Sequence, residues 1–240
     1  MITSSSNRAW LLAAAGLALA GQWAPAGDLT GTITLKGEPP KEKVITPYKD
    51  DINCRNLLPE APTTRFYIVG PHGELADAVV SLQGISGKSA GASAKPVVLD
   101  QKNCLYVPQI LAVQTGQKLI VKNSDPVMHN VDVQPASDSG NPARNDGQMP
   151  GAADLTFSFP KPEMFMRIKC DVHVWMFAWL SVFDHPYFAV SAKDGSFKIA
   201  NVPPGKYTLQ AAHRKAGTLA REVVVEEGQP AKADFTFELK

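Results

Sequence analysis

Short runs of β-branched and aromatic residues recur between turn-forming clusters along most of this chain, and helical periodicity is nearly absent. LTGTITLKG, RFYIVG, DAVVSLQGI, QILAVQTGQKLIVKNSD, FAWLSVFD, GSFKIANV, KYTLQAAH, REVVVEEG and ADFTFELK each have the length and character of strands. Proline and glycine fall mostly between these runs, the pattern of antiparallel sandwiches or open barrels. An all-β fold is expected. In WMFAWLSVF, Met176, Ala178, Leu180 and Val182 alternate with Trp175, Phe177, Trp179 and Phe183, and only Ser181 is polar. That strand should be covered on both faces, with Val174 and Trp175 forming a small apolar rim at its start.

The first residues carry a lone cation, Arg8, then an apolar stretch from Ala9 to Ala20 and small residues at Ala18, Ala20, Ala24 and Ala26. Residues 1–26 read as a cleaved secretory signal, with the mature chain starting near Gly21 or Gly27 and located in the periplasm or secreted. The apolar stretch is too short to span a bilayer, so no transmembrane anchor is expected. No cysteine lies near the cut for attachment of a lipid. About 210 residues remain, enough for one large or two small domains. Loss of Arg8 brings the formal net charge from +1 to 0. The scattered lysines and arginines offer no footprint for nucleic acid or an anionic membrane.

Three cysteines leave one unpaired, which needs a reason in an oxidising compartment. Cys54 and Cys104 sit in polar, turn-like settings and are the natural disulfide pair. Closing a loop of about fifty residues contributes up to ~4 kcal/mol by chain entropy. Cys170 then remains a thiol, and its neighbours are ligand types. Cys170, His173 and Met176 recur at every third residue of KCDVHVWM, and His129 lies upstream in NSDPVMHNV. A thiolate and two imidazoles suit both oxidation states of copper, and a methionine sulfur can add a long axial contact, so these four form the ligand set of one mononuclear copper ion. Zinc would require a fourth Cys or His, and His72, His185 and His213 lie in other segments. They read as a turn residue, a boundary residue and an exposed strand end.

The elements VKNSDPVMHNV and the Cys–His–Met loop resemble a cupredoxin of the plastocyanin kind over roughly a third of the chain. The resemblance implies a Greek-key sandwich over residues 96–184, with one histidine from an early loop and the other ligands from the loop joining the last two strands. Asn130 resembles the asparagine that pins the two ligand loops together, and Asp171 and Asn123 stand close enough in sequence to support them. The spacing His173-x2-Met176 is tighter than in plastocyanin and resembles a binuclear copper loop, but Met166 stands roughly where that site needs a second cysteine. The axial position stays open among Met176, a carbonyl, water and Met128. Met164 reads as core or rim.

DGSFKIANVPPGKYTLQAAH, with GTITLKGEPP and ADAVVSL, resembles the two halves of carboxypeptidase-regulatory-like sandwiches, which are similar to the accessory β-domains of rhamnogalacturonan lyases. The implied organisation is a second, smaller β-sandwich formed by residues 27–95 and 185–240 and split by the 96–184 insertion; a row of separate domains is the alternative. The function expected is an exported electron carrier with a redox protein partner and no enzymatic activity, because no catalytic triad, paired carboxylates or H-x-H clusters stand out. Alternatives are a surface or carbohydrate-associated module that binds polysaccharide, with a structural cupredoxin domain, and a copper chaperone.

Overall fold

The computed structural model describes residues 25–239; of the leader read in residues 1–26, all but the last two lie outside them. The chain opens with β1 (Gly27–Lys36), a 3-10 turn (Thr46–Asp50), α1 (Ile52–Leu57) and β2 (Val79–Gln83). Then come β3 (Val97–Lys102), β4 (Leu105–Val107), β5 (Ile110–Gln114), β6 (Leu119–Asn123), β7 (His129–Gln134) and β8 (Arg144–Gln148). β9 (Leu155–Phe157), β10 (Glu163–Lys169), β11 (Phe177–Phe183) and β12 (Phe188–Val190) follow. β13 (Ser196–Val202), β14 (Gly205–His213), β15 (Gly217–Val225), β16 (Ala231–Lys232) and β17 (Phe235–Glu238) end the chain. The fold is all-β, as the runs imply. RFYIVG is the exception. It makes only the isolated bridge Val69 to Leu75, and Arg65 at its head has a positive φ of 46°.

Four sheets pair around two cores. The order β5-β11-β10-β7-β8 faces β4-β3-β6-β9 across a cluster that includes Leu99, Tyr106, Leu119, Val131, Ile168 and Leu180. The other two sheets, β13-β1-β16 with β17 also on β1, and β12-β2-β14-β15, enclose Leu29, Ile33, Leu82, Ile199, Leu209 and Phe237. β1 alternates strictly, with Leu29, Gly31, Ile33 and Leu35 inward and Thr30, Thr32 and Thr34 partly exposed, so one face is committed to the core. It runs antiparallel to β13 and parallel to β17. A third apolar group, Val79, Ile110 and Phe183, packed by Trp179 and Phe188, joins the two parts. β11 is thus buried on both faces: Ala178, Leu180 and Val182 enter the first core, while Phe183 and Trp179 meet the joint.

Two histidines differ from expectation. His213 is buried, because β14 lies between β2 and β15; its Nδ1 accepts the N–H groups of Lys215 (3.3 Å) and Ala216 (3.1 Å). His185 is also buried and packs against Phe183 and Tyr187. His72 does lie in an exposed turn. The segment after β1 leaves the second core altogether: Tyr48 and Cys54 are fully buried in the first cluster, with Leu57, Leu58 and Ala61 packed against it. The structure joins Cys54 to Cys104 and leaves Cys170 as a buried thiol. Among the described residues, no helix is long and apolar enough to cross a membrane.

Candidate metal centre

His129 opens β7, Cys170 follows the end of β10, and His173 lies in the loop that leads into β11. Register fixes the first of these: His129 pairs with Gln148 of β8. Gln148 is itself buried, donating to Val121 O and Ala153 O and accepting from Gln101 Nε2 at 2.6 Å, so a polar bridge ties the two facing sheets beside the histidine. The loop Cys170–Met176 closes on itself, with Cys170 N donating to Met176 O (3.0 Å) and Met176 N to His173 O (2.8 Å).

The ligand atoms of His129, Cys170 and His173 lie within 4.8 Å of one another, and all three side chains are buried. Nδ1 of His129 stands 2.9 Å from Nδ1 of His173, and Cys170 Sγ lies 3.8 Å from the latter. Met176 is buried in the same apolar cluster as Cys170. Met128 is partly exposed, and Met166 is a core residue. Trp175 does not form a rim: it is 6% exposed, and its Nε1 donates to Cys104 O at 3.1 Å. The exposed apolar residues of this loop are Val172 and Val174.

Asn130 bonds across the two loops. Its Oδ1 accepts Asp171 N at 2.7 Å and lies 3.2 Å from Cys170 Sγ, while its Nδ2 donates to Asn145 Oδ1 (2.7 Å) and Asp171 Oδ2 (2.9 Å). Asn123 supports the approach to His129, donating to Val127 O and Gln148 O.

Two carboxylates complete the site, and neither stood out in the sequence. Asp125 Oδ2 lies 2.9 Å from His129 Nε2 with both side chains buried, and Asp51 Oδ2 lies 3.4 Å from His173 Nε2. Asp125 sits in the turn NSD, whose Asn123 Oδ1 accepts Asp125 N at 3.0 Å; the motif reads as a turn, and only the fold reveals the carboxylate under the ring. Asp51 is far from both histidines in sequence and carried no signal.

Ionised carboxylates only accept hydrogen bonds, so Asp125 requires a proton on the His129 Nε2 to which it bonds, and Asp51, at ion-pair distance without a hydrogen bond, favours one on His173 Nε2 by its charge. Both Nδ1 atoms are then lone-pair acceptors directed at one another across 2.9 Å, and neither can satisfy the other. Such a pair needs a cation between its members: a proton or a metal ion. Burial opposes charge on His129, yet Asp125 and Cys170 outweigh it and its pKa is raised. Burial likewise opposes the Cys170 thiolate, but His129 and His173, once they share a proton, and the backbone N–H of His173 bring its pKa down to about 6. Burial raises Asp125, and the bond to His129 with the N–H groups of Cys104 and Asn103 more than reverses it. A thiolate and two oriented imidazole nitrogens are the donor types that copper takes.

No family model and no curated protein matches the chain. Several solved structures do. A Cu-containing nitrite reductase from Thermus scotoductus SA-01 aligns at 17% identity and a TM-score of 0.33, over 40% of this chain and 25% of its own. The chain thus spans about a quarter of that enzyme's length. The oxidized P96G mutant of amicyanin aligns at 20% identity and a TM-score of 0.33, over 43% of this chain and 97% of its own. A pseudoazurin from Sinorhizobium aligns at 17% identity and a TM-score of 0.33, over 38% of this chain and 76% of its own. Each of these matches covers less than half of this chain.

Proposed function

We propose that this protein holds one copper ion through His129, Cys170 and His173, with Met176 as the axial sulfur, and exchanges single electrons with a redox partner protein. The observation that carries the reading is the pair of facing Nδ1 acceptors, 2.9 Å apart beside a thiol whose pKa is lowered. When bound, copper supplies the change between its cupric and cuprous states. The chain supplies a fixed frame: Asn130 holds the cysteine loop against β7, and the aspartates hold the imidazole rings. A donor set anchored on strands rearranges little between oxidation states, which favours electron transfer over bond-making.

The protein is proposed to act in the periplasm or outside the cell, after loss of a leader, and not as an enzyme. The flanking segments 27–95 and 185–240 are proposed to form a second unit split by residues 96–184. The pairing of β1 with β13 and β17, and of β2 with β12 and β14, supports this organisation.

Addition of Cu(II) to the purified protein tests the reading. An intense thiolate-to-copper absorption band and a matching paramagnetic spectrum in wild type, both lost in Cys170→Ser, are expected. A colourless wild type, or a band that survives in Cys170→Ser, overturns it.

A further inference from the structure

The two halves of the Cys54–Cys104 disulfide each hold one of the aspartates described above. Cys54 N donates to Asp51 Oδ1 at 2.8 Å, and the other oxygen of Asp51 faces His173 Nε2. Cys104 N donates to Asp125 Oδ2 at 2.7 Å, the oxygen that also meets His129 Nε2. Asn103 and Cys104 both take positive φ, 56° and 53°, and this left-handed turn aims two successive N–H groups at Asp125. A ring nitrogen of His173 lies within 4.8 Å of both sulfurs. Tyr48 and Cys54 reach the first core from a segment that otherwise leads back to the second, and the disulfide is the covalent tie at that crossing.

We propose that the Cys54–Cys104 disulfide is the positioning element for both ligand histidines: one covalent bond fixes two carboxylates, and each carboxylate fixes one imidazole through its remote nitrogen. The inference rests on the copper reading for its effect on potential, but the ring positioning belongs to the metal-free chain as well. A carboxylate on the remote nitrogen makes the imidazole a stronger donor and favours the more highly charged ion. Loss of either carboxylate therefore weakens Cu(II) binding more than Cu(I) binding and raises the reduction potential. Asp125 has two further anchors, Asn103 N and its own turn, so opening the disulfide releases Asp51 first.

The test compares wild type, Asp51→Asn, Asp125→Asn, Cys54→Ser/Cys104→Ser and the triple variant that adds Asp51→Asn to the serine pair. Nitrogen NMR of the metal-free proteins reads the tautomer of each ring, and voltammetry of the copper-loaded proteins reads the potential. Asp51→Asn and the serine pair should both release His173 from its Nε2–H tautomer, raise the potential and weaken Cu(II) binding by about 10- to 100-fold. Asp125→Asn should do the same for His129. The triple variant should equal the serine pair, because the two changes remove one linkage. Additive effects in the triple variant overturn the proposal, as does a serine pair with unchanged His173 tautomer. If the serine pair does not fold, native wild type reduced by a dithiol, two electrons and two protons converting the disulfide to two thiols, gives the same comparison. A protein without a copper–thiolate band fails the electron-carrier reading alone, since the metal-free tautomers still decide this one.

Discussion

The backbone N–H of Asp171 donates to Asn130 Oδ1 at 2.7 Å, so the residue after the cysteine is bonded to the residue after the first histidine. This contact spans β7 and the loop beyond β10, and it ties the strand that carries His129 to the loop that carries Cys170 and His173. Asn130 is buried, with its amide N–H groups donated to Asn145 and Asp171.

Asn130→Ala should therefore remove the hydrogen bonds that hold the cysteine loop to β7, at a cost of about 0.5–1.5 kcal/mol for each. Urea denaturation of the metal-free protein measures the loss. The loosened loop should also expose Cys170, seen as faster reaction with a thiol reagent. Equal stability and equal labelling would show that the loop holds its shape without Asn130.

Tyr48 packs edge-on against Trp175 with ring centroids 5.2 Å apart, and its hydroxyl donates to Cys54 O at 2.6 Å and also approaches Leu58 O. Tyr48→Phe keeps the ring and strands the carbonyls. We expect a loss of about 1–2 kcal/mol with little change in Trp175 fluorescence, whereas Tyr48→Ala should change both. A Tyr48→Phe variant as stable as wild type would mean that the hydroxyl carries none of the anchoring.

A Cβ added at Gly31 would lie 1.9 Å from Ala233 O, a backbone atom on the strand side of the second core. No rotamer relieves that clash, so Gly31→Ala should cost about 3 kcal/mol or more and lower the melting temperature of the second core. Gly87 is the control, because a Cβ there meets nothing and only its positive φ opposes the change.

His213 supplies a pH dependence. Burial and the neighbouring Arg214 lower its pKa from 6.5 to about 4, and its Nδ1 already accepts two N–H groups. Above pH 6.5 the ring is neutral in both folded and unfolded chains and has no effect. As pH falls from 6.5 toward 4, the unfolded chain takes up a proton that the folded one refuses, and stability declines by at most about 3 kcal/mol. Denaturation midpoints across that window should fall less steeply in His213→Gln. Parallel profiles would assign the acid loss to other groups.

Much of this fold is legible as strand-length runs, because alternation such as that of β1 reports one buried face directly. Cys170, His129 and His173, which the fold brings together, stand out in the sequence through local spacing and residue type. What escapes is whatever depends on the chain returning to itself. His213 reads as exposed because its neighbours are polar, yet β14 is an interior strand of its sheet. α1 has six residues, too few for a helical period to register. Asp51 meets His173 only because the folded chain brings two distant segments together.

Thr34 of β1 meets Thr236 of β17, 202 positions later in the chain. The edge of β1 that pairs with β17 thus stays bare until that much later strand has been made. The central strands, whose pairings are shorter in sequence, need no such wait. Long-range pairing of this kind slows folding and leaves a nascent chain open to sticking edge to edge, so the flanking part sets the pace at which the whole polypeptide matures.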